Sequence, residues 1–351
     1  MLHNNQDGLL EGPICTPPNK KESGPSASVI IASSGKETYL NECLMSLLNQ
    51  SVDKIEIICI VDSERQMPIT DSRIRTIIDN RSPSTKRNIG ISLASSDVIA
   101  FIDDDAQAPP DWIAKGIKML EQECVAGGPN IVHPNDSTKQ KASDAFFSSW
   151  FGSFREVYRY RPMKEKTYAD NLGTVNLFTR RSTIVEVGGF DGSYWPGEDT
   201  NLCERLKKRG IRLRYDATLF VYHHRRDTLR GHLKQIWRYA VYRGSAFLKG
   251  EVNYFYLGPS LILISLIALV AFSIDLDRLL LIPIILASAL ISTCAFLDFY
   301  RRHVDLKVAF LGLMLFWSSH LVYGVGVIKG LIWPKQNKHR SDGQIVIGQE
   351  A

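Results

Sequence analysis

Between Ser28 and Tyr222 the chain alternates short, uninterrupted apolar runs with segments of helical period. Ser28–Ala32 (S-V-I-I-A), Ile55–Val61 (I-E-I-I-C-I-V) and Val98–Ile102 (V-I-A-F-I) present apolar side chains to both faces, as strands buried in a mostly parallel sheet do. Leu40, Leu44, Leu47 and Leu48 recur at helical spacing and predict a helix over Thr38–Asn49. A shorter strand is predicted at Arg75–Ile78, and a short helix and turn lead from Ser84 into Val98–Ile102. Pro109-Pro110-Asp111-Trp112 opens a further helix, since proline is tolerated in a first turn. Ala126–Val132 reads as a turn into a strand, and Asn171–Thr179 leads through a strand to a helix over Ser182–Val187. A helix from Asp199 stops at Gly210, and Leu213–Ala217 and Leu219–Tyr222 are the last strands. This order predicts an α/β domain with a doubly wound sheet and right-handed crossovers. Residues 133–170 are polar and aromatic without clean periodicity, and are expected to be a substrate-shaping insertion or flexible loop.

The pattern then changes. Thr228–Lys249 places Leu229, Leu233, Ile236, Trp237, Ala240 and Phe247 on one side and Arg230, Lys234 and Arg238 on another, a basic amphipathic helix suited to a membrane interface. Apolar stretches at 255–274, 279–297 and 308–328 follow, each near the ~20 residues that span a bilayer. Buried core helices would not cluster at one end in this way. The expected organisation is a tail (1–26), the α/β domain (27–227), the interfacial helix (228–250), two to three membrane spans (251–330) and a polar tail (331–351).

Charge sharpens this division. The 351 residues carry a net +5, yet Cys203–Lys249 holds thirteen Lys/Arg against three Asp/Glu. That basic segment runs into the apolar stretches, which favours a membrane over nucleic acid as the anionic partner. The six cysteines show no C-x-x-C pair and read as reduced packing residues, which places the large domain in the cytosol. The turn after the first strand (Ser33-Ser34-Gly35-Lys36) has neither G-x-G-x-x-G nor G-x-x-x-x-G-K-[ST], which argues against a dinucleotide oxidoreductase or a P-loop enzyme.

The candidate chemistry lies in carboxylates. Val98–Ile102 runs straight into Asp103, Asp104 and Asp105, at the carboxyl end of a strand where open α/β sheets bind ligands. Three adjacent carboxylates repel one another unless a cation or solvent compensates them, and Mg²⁺ or Mn²⁺ bridging to a substrate phosphate is one such compensation. A solvated acidic turn accounts for the same residues. A second pair, Glu198-Asp199, opens a helix, where acidic residues are also favoured by the helix dipole.

K-R-N-I-G (86–90) followed by F-I-D-D-D (101–105), then V-G-G-F-D (187–191), G-E-D-T-N-L-C-E-R-L (197–206) and Q-I-W-R-Y (235–239) resemble, in order, the motifs of the inverting glycosyltransferases of family 2. The resemblance covers about Ser28 to Gly244; Tyr239 stands where the polymerising members carry Trp. It implies a GT-A fold, a nucleotide-sugar donor (UDP being the commonest carrier) and Mg²⁺ or Mn²⁺. It assigns metal binding to Asp103 and Asp105, with His223 as a third ligand or a structural histidine, and donor contacts to Ser33, Asp62, Arg87, Asp103, Asp104, Gln235 and Arg238. Asp199 becomes the base, Glu198 its support, and Asp191 and Trp195 acceptor contacts. The function so implied is transfer of a sugar to a membrane-associated, lipid-linked saccharide in surface-glycan synthesis, at the cell membrane with the catalytic domain in the cytoplasm. A processive polysaccharide synthase, a non-catalytic nucleotide-sugar-binding scaffold and a nucleotidyltransferase are the competing readings.

Overall fold

Val98–Ile102 sits at the centre of the molecule in the computed structural model, buried along its whole length. The structure describes residues 24–334 except 35–36, 65–66, 68, 195, 249, 251–253 and 276–280. Most of the expected N-terminal tail and nearly all of the C-terminal tail, and with them Trp195, lie outside the described residues.

The first half-domain runs β1 (Ala27–Ala32), α1 (Glu37–Leu48), β2 (Ile55–Val61), β3 (Ile74–Ile78), α2 (Pro83–Leu93), β4 (Val98–Ile102), β5 (Ala106–Gln107) and α3 (Trp112–Leu120). There follow β6 (Val125–Gly127), β7 (Asn130–Val132), α4 (Thr138–Phe147), α5 (Trp150–Ser153), β8 (Asn176–Arg180), α6 (Arg181–Glu186), α7 (Glu198–Lys208), β9 (Arg214–Tyr215) and β10 (Val221–His223). The helices α8 (Leu229–Phe247), α9 (Gly258–Asp275), α10 (Leu281–His303) and α11 (Leu306–Ile332) complete the chain.

The main sheet has strand order β3-β2-β1-β4-β8-β6-β9, with β1 parallel to both β2 and β4 and β8 antiparallel to β4 and β6. Strand alternation divides the core between its two faces. Val29, Ile31, Ile57 and Cys59 pack against Leu40 and Leu44 of α1 and Trp112 of α3. Ile30, Ile58 and Phe101 pack instead with Ile91 of α2, Phe190 and Leu202 of α7. Since β1 has β2 on one side and β4 on the other, the chain order reverses there, and a crevice opens beyond the carboxyl ends of β1 and β4. A small sheet, β5-β10-β7, carries the chain from β4 across that crevice.

The expected strand at Ala126–Val132 is two strands, β6 and β7, in different sheets. The expected loop at 133–170 is corrected more strongly. It contains α4, α5 and a 3-10 turn over Phe154–Arg159, and α4 is buried at Gln140 and continuously from Ala142 to Phe147. A helix buried nearly all round has no polar stripe, so its period is absent from the sequence pattern. Among the described cysteines, Cys43, Cys59 and Cys203 are buried free thiols and Cys294 is an exposed one.

Helices α4, α8, α10 and α11 share an apolar cluster that includes Phe146, Phe147, Ile236, Phe299, Phe316 and Val327. Helix α8 runs parallel to the second half of α11. His232 Nε2 meets Ser319 Oγ at 2.9 Å, Gly326 abuts Ala240, and Gly244 faces Gly330 so closely that a Cβ on either would collide with the other helix's backbone. Its buried face is thus spent on protein: His232, Ile236, Ala240, Val241 and Gly244 all point inward. Among the described residues, two helices, α10 and α11, are long and apolar enough to cross a membrane, and α9 is a shorter apolar helix. Leu306, Phe310, Met314, Trp317, Leu321 and Val325 leave one stripe of α11 exposed.

Candidate active site

The crevice is closed by hydrogen bonds between distant parts of the chain. Ser33 Oγ, just past β1, donates to Asp104 Oδ2 at 2.6 Å, just past β4. The buried ammonium of Lys86 on α2 donates to Ser33 O at 2.5 Å and pairs with Asp62 beyond β2. Arg87, next on α2, is 6% exposed and reaches both ways: Nη2 to Asp103 Oδ1 at 3.0 Å and Nη1 to Glu198 Oε1 at 2.9 Å. One guanidinium therefore joins the aspartate run to the helix that carries the second carboxylate pair. Burial raises the Glu198 carboxyl above its ordinary value against the pull of Arg87.

The motifs themselves interlock. Asn88 Nδ2 donates to Phe190 O at 2.8 Å, and Phe190 N donates back to Asn88 Oδ1 at 2.8 Å. Gly188 and Gly189 hold the left-handed backbone (φ 86° and 66°) that presents Phe190 to Asn88. K-R-N-I-G and G-G-F-D are thus two halves of one support beneath Arg87. Asp191 is exposed and accepts from Ser193 N at 2.9 Å, shaping the following turn. Gln235 on α8 turns along its own helix to Tyr239 Oη at 3.1 Å rather than toward the aspartates, and Arg238 is half-buried on the same helix.

On the other side of β4, His223 Nε2 lies 3.0 Å from Asp105 Oδ1, and Arg226 Nη1 lies 3.7 Å from Asp105 Oδ2. Burial works to raise the Asp105 carboxyl, but His223 and Arg226 outweigh it and hold it down to about 2. A folded-state value below the ordinary ~3.9 stabilises the protein fully above ~3.9, and that contribution disappears as pH falls through about 2. Urea unfolding between pH 5 and pH 2 should show this loss in the native protein, and Asp105→Asn should lack that part of it.

The ligand atoms of Asp103, Asp105 and His223 lie within 4.8 Å of one another, which fits one divalent cation. The fit holds for the two aspartates. For His223 it fails in this arrangement, because Arg225 Nη1 sits 2.9 Å from His223 Nδ1 and a guanidinium only donates. In this arrangement Nδ1 is the acceptor, Nε2 carries the hydrogen, and His223 donates to Asp105. A second group, Glu42, His133 and His224, is equally close-set. There both nitrogens of His224 are already engaged, with Asp136 at 2.5 Å and Glu42 at 2.8 Å, so the group is an ion-paired support.

Asp199, at the start of α7, accepts from Thr200 N at 2.7 Å through Oδ1 and from Arg159 Nη2 at 2.9 Å through Oδ2. Arg159, Lys86, Asn88 and Arg225 are site residues that the sequence reading did not single out. Lys86 and Asn88 stood inside a quoted motif, and Arg225 in H-H-R-R beside His223. Arg159 carried no signal.

Residues 28–185 match the family model for glycosyl transferase family 2. This segment is a family 2 glycosyltransferase domain. A pre-mycofactocin glycosyltransferase of Mycobacterium tuberculosis is 29% identical over 246 residues, 68% of this chain and 50% of that protein. A glucosyl-dolichyl phosphate glucuronosyltransferase of Haloferax volcanii is 28% identical over 183 residues, 47% of this chain and 55% of that protein. The chain thus spans about half the length of these relatives. The mannosyltransferase PcManGT of Pyrobaculum calidifontis, solved with GDP-Man and Mn²⁺, superposes with a TM-score of 0.58 at 16% identity over 93% of this chain and 92% of its own. The glycosyltransferase domain has the GT-A fold, and the shared architecture extends into the C-terminal helices. Glu198 and Asp199 lie beyond the matched segment, yet Arg87 ties Glu198 to Asp103 within it.

Proposed function

We propose that this protein is an inverting, metal-dependent glycosyltransferase that moves a sugar from a nucleotide-sugar donor to a membrane-associated, lipid-linked saccharide. The observation that carries the reading is Arg87, which sets the aspartate run of β4 and the carboxylate pair of α7 against one crevice. Such opposition is what a single displacement needs. One carboxylate group faces the leaving diphosphate, and another faces the incoming hydroxyl.

Asp103 and Asp105 would hold Mg²⁺ or Mn²⁺, whose contribution when bound is to offset charge on the departing diphosphate. Ser33, Asp62, Arg87 and Asp104 line the donor side, with Lys86 fixing the loops after β1 and β2. Gln235 would have to turn from its present bond with Tyr239 to join them, and Arg238 would come from the same helix. Asp199 Oδ2 accepts the proton of the acceptor hydroxyl as that oxygen attacks the anomeric carbon, and Glu198 keeps the first turn of α7 in register through Arg87. Asp191 and Trp195 would border the acceptor. His223 is a hydrogen-bond donor that orients Asp105.

The acceptor class is supported by α10 and α11, by the basic stretch Cys203–Lys249, and by a relative named for a dolichyl phosphate substrate. The same features support a location at the cell membrane with the domain in the cytoplasm, where Arg301 and Arg302 at the end of α10 would also lie. A non-catalytic scaffold would have no use for Asp199 opposite the donor side. The test incubates membranes containing the full chain with radiolabelled UDP-, GDP- and dTDP-sugars, with and without EDTA, and counts label in the lipid extract. One donor should give label that EDTA abolishes. An absence of label with every donor sinks the reading.

A further inference from the structure

Arg159 occupies the atom that the proposed base must use. Its Nη2 donates to Asp199 Oδ2 while Thr200 N holds Oδ1, so both oxygens of Asp199 are engaged. A guanidinium stays charged at any working pH, so Arg159 competes with an acceptor hydroxyl for Oδ2, and that oxygen is fully available only when Arg159 has moved. The place it can move to lies beside it. Glu156, one turn earlier on the same 3-10 segment, has Oε2 at 3.8 Å from Arg159 Nη1, too far for a hydrogen bond. Glu156 Oε2 and Arg159 Nε are both buried without a hydrogen-bond partner among the described residues. The two side chains are thus within ion-pair range but share no hydrogen bond in this state, and the two unsatisfied atoms mark a bond that is within reach.

Glu156 is itself fixed from the C-terminal helices. Tyr256 Oη, just before α9, donates to Glu156 Oε1 at 3.2 Å, Arg243 of α8 lies over the Tyr256 ring at 4.2 Å, and Tyr323 Oη of α11 donates to Tyr256 O at 3.2 Å. The segment before it is anchored the same way, with His320 of α11 against Phe151 O at 2.8 Å.

We propose that Arg159 is a two-position positioning residue that keeps Asp199 from activating water until an acceptor is seated, then transfers to Glu156. The inference rests on Asp199 being the base. With Arg159 on Asp199, a water near the anomeric carbon must compete with the guanidinium for the base, and the donor survives. With the acceptor in place and Arg159 on Glu156, the hydroxyl gives its proton to Asp199. Its oxygen forms the new bond to the anomeric carbon, and the old bond to the diphosphate breaks with its electron pair leaving on the nucleoside diphosphate. Hydrolysis is the same displacement with water in place of the hydroxyl.

The experiment measures, on the full chain in detergent with the donor found above, three quantities. These are donor hydrolysis without acceptor, transfer with acceptor, and donor affinity by calorimetry. Arg159→Gln should raise the ratio of hydrolysis to transfer about tenfold or more with donor affinity within about twofold, and Arg159→Lys should restore the low ratio. Glu156→Gln should lower transfer kcat about fivefold or more while hydrolysis stays at the native level. An unchanged ratio in Arg159→Gln, with both rates falling together, means a purely structural arginine and overturns the inference. Native transfer in Glu156→Gln overturns it as well. Adding Asp199→Asn to Arg159→Gln should remove the extra hydrolysis. Hydrolysis that persists in that double variant overturns the base assignment instead.

Discussion

Asp199→Asn should lower kcat for transfer by about 10²- to 10⁴-fold, the usual contribution of a positioned general base, and leave donor affinity within about twofold. The asparagine keeps the size and the Oδ1 contact with Thr200 N but cannot take a proton. Donor affinity should survive because the residues proposed for the donor side, Ser33, Asp62, Lys86 and Asp103–Asp105, are held by one another and by Arg87 and His223, whereas Asp199 is held by Arg159 and Thr200. Steady-state rates with calorimetry of donor binding separate the two effects. Turnover near the native rate would remove Asp199 from the chemistry and move attention to Glu198.

Arg87→Met is expected to be the most damaging single change to the scaffold, at about 3–5 kcal/mol, the cost of stripping the partner from a buried charge. Methionine retains the stem, including its packing near Phe190, whose ring lies 5.6 Å from the guanidinium. What is lost is the cation between Asp103 and Glu198, the latter 8% exposed. The double variant Arg87→Met/Glu198→Gln should recover part of that stability, because the buried carboxylate goes with its partner. Transfer activity should stay low in both. Urea unfolding of the two proteins decides it, and equal stabilities would mean that Glu198 is solvated well enough to do without Arg87.

Much of this site could be read before any coordinates, for identifiable reasons. A strand buried on both faces has to be apolar throughout, so Val98–Ile102 announced itself, and the residues that follow such a strand have to face the crevice. Asn88 and Phe190 lie far apart in sequence, but their reciprocal hydrogen bonds tie down two short motifs that are recognisable as text. Arg159 shows what stays hidden. Its meaning comes entirely from Asp199 and Glu156, and nothing local to it distinguishes it from a solvent-facing arginine. Helix α4 was hidden for a different reason, since burial on nearly every side erases the polar stripe by which helices are recognised. The two readings of His223 turn on a neighbour: only the position of Arg225 shows which ring nitrogen holds the hydrogen in this arrangement.

The close pairing of α8 with α11 has a mechanical consequence. From His232–Ser319 through Ala240–Gly326 to Gly244–Gly330, the two helices advance in step and in the same direction. They therefore share one inclination, and if α11 descends into a bilayer, α8 descends beside it. The first residue of α8 lies three positions after Arg226, which faces Asp105. The helix is then a strut of fixed length between Asp105 and the far end of α11, and whatever depth Gly330 reaches, Gly244 reaches too.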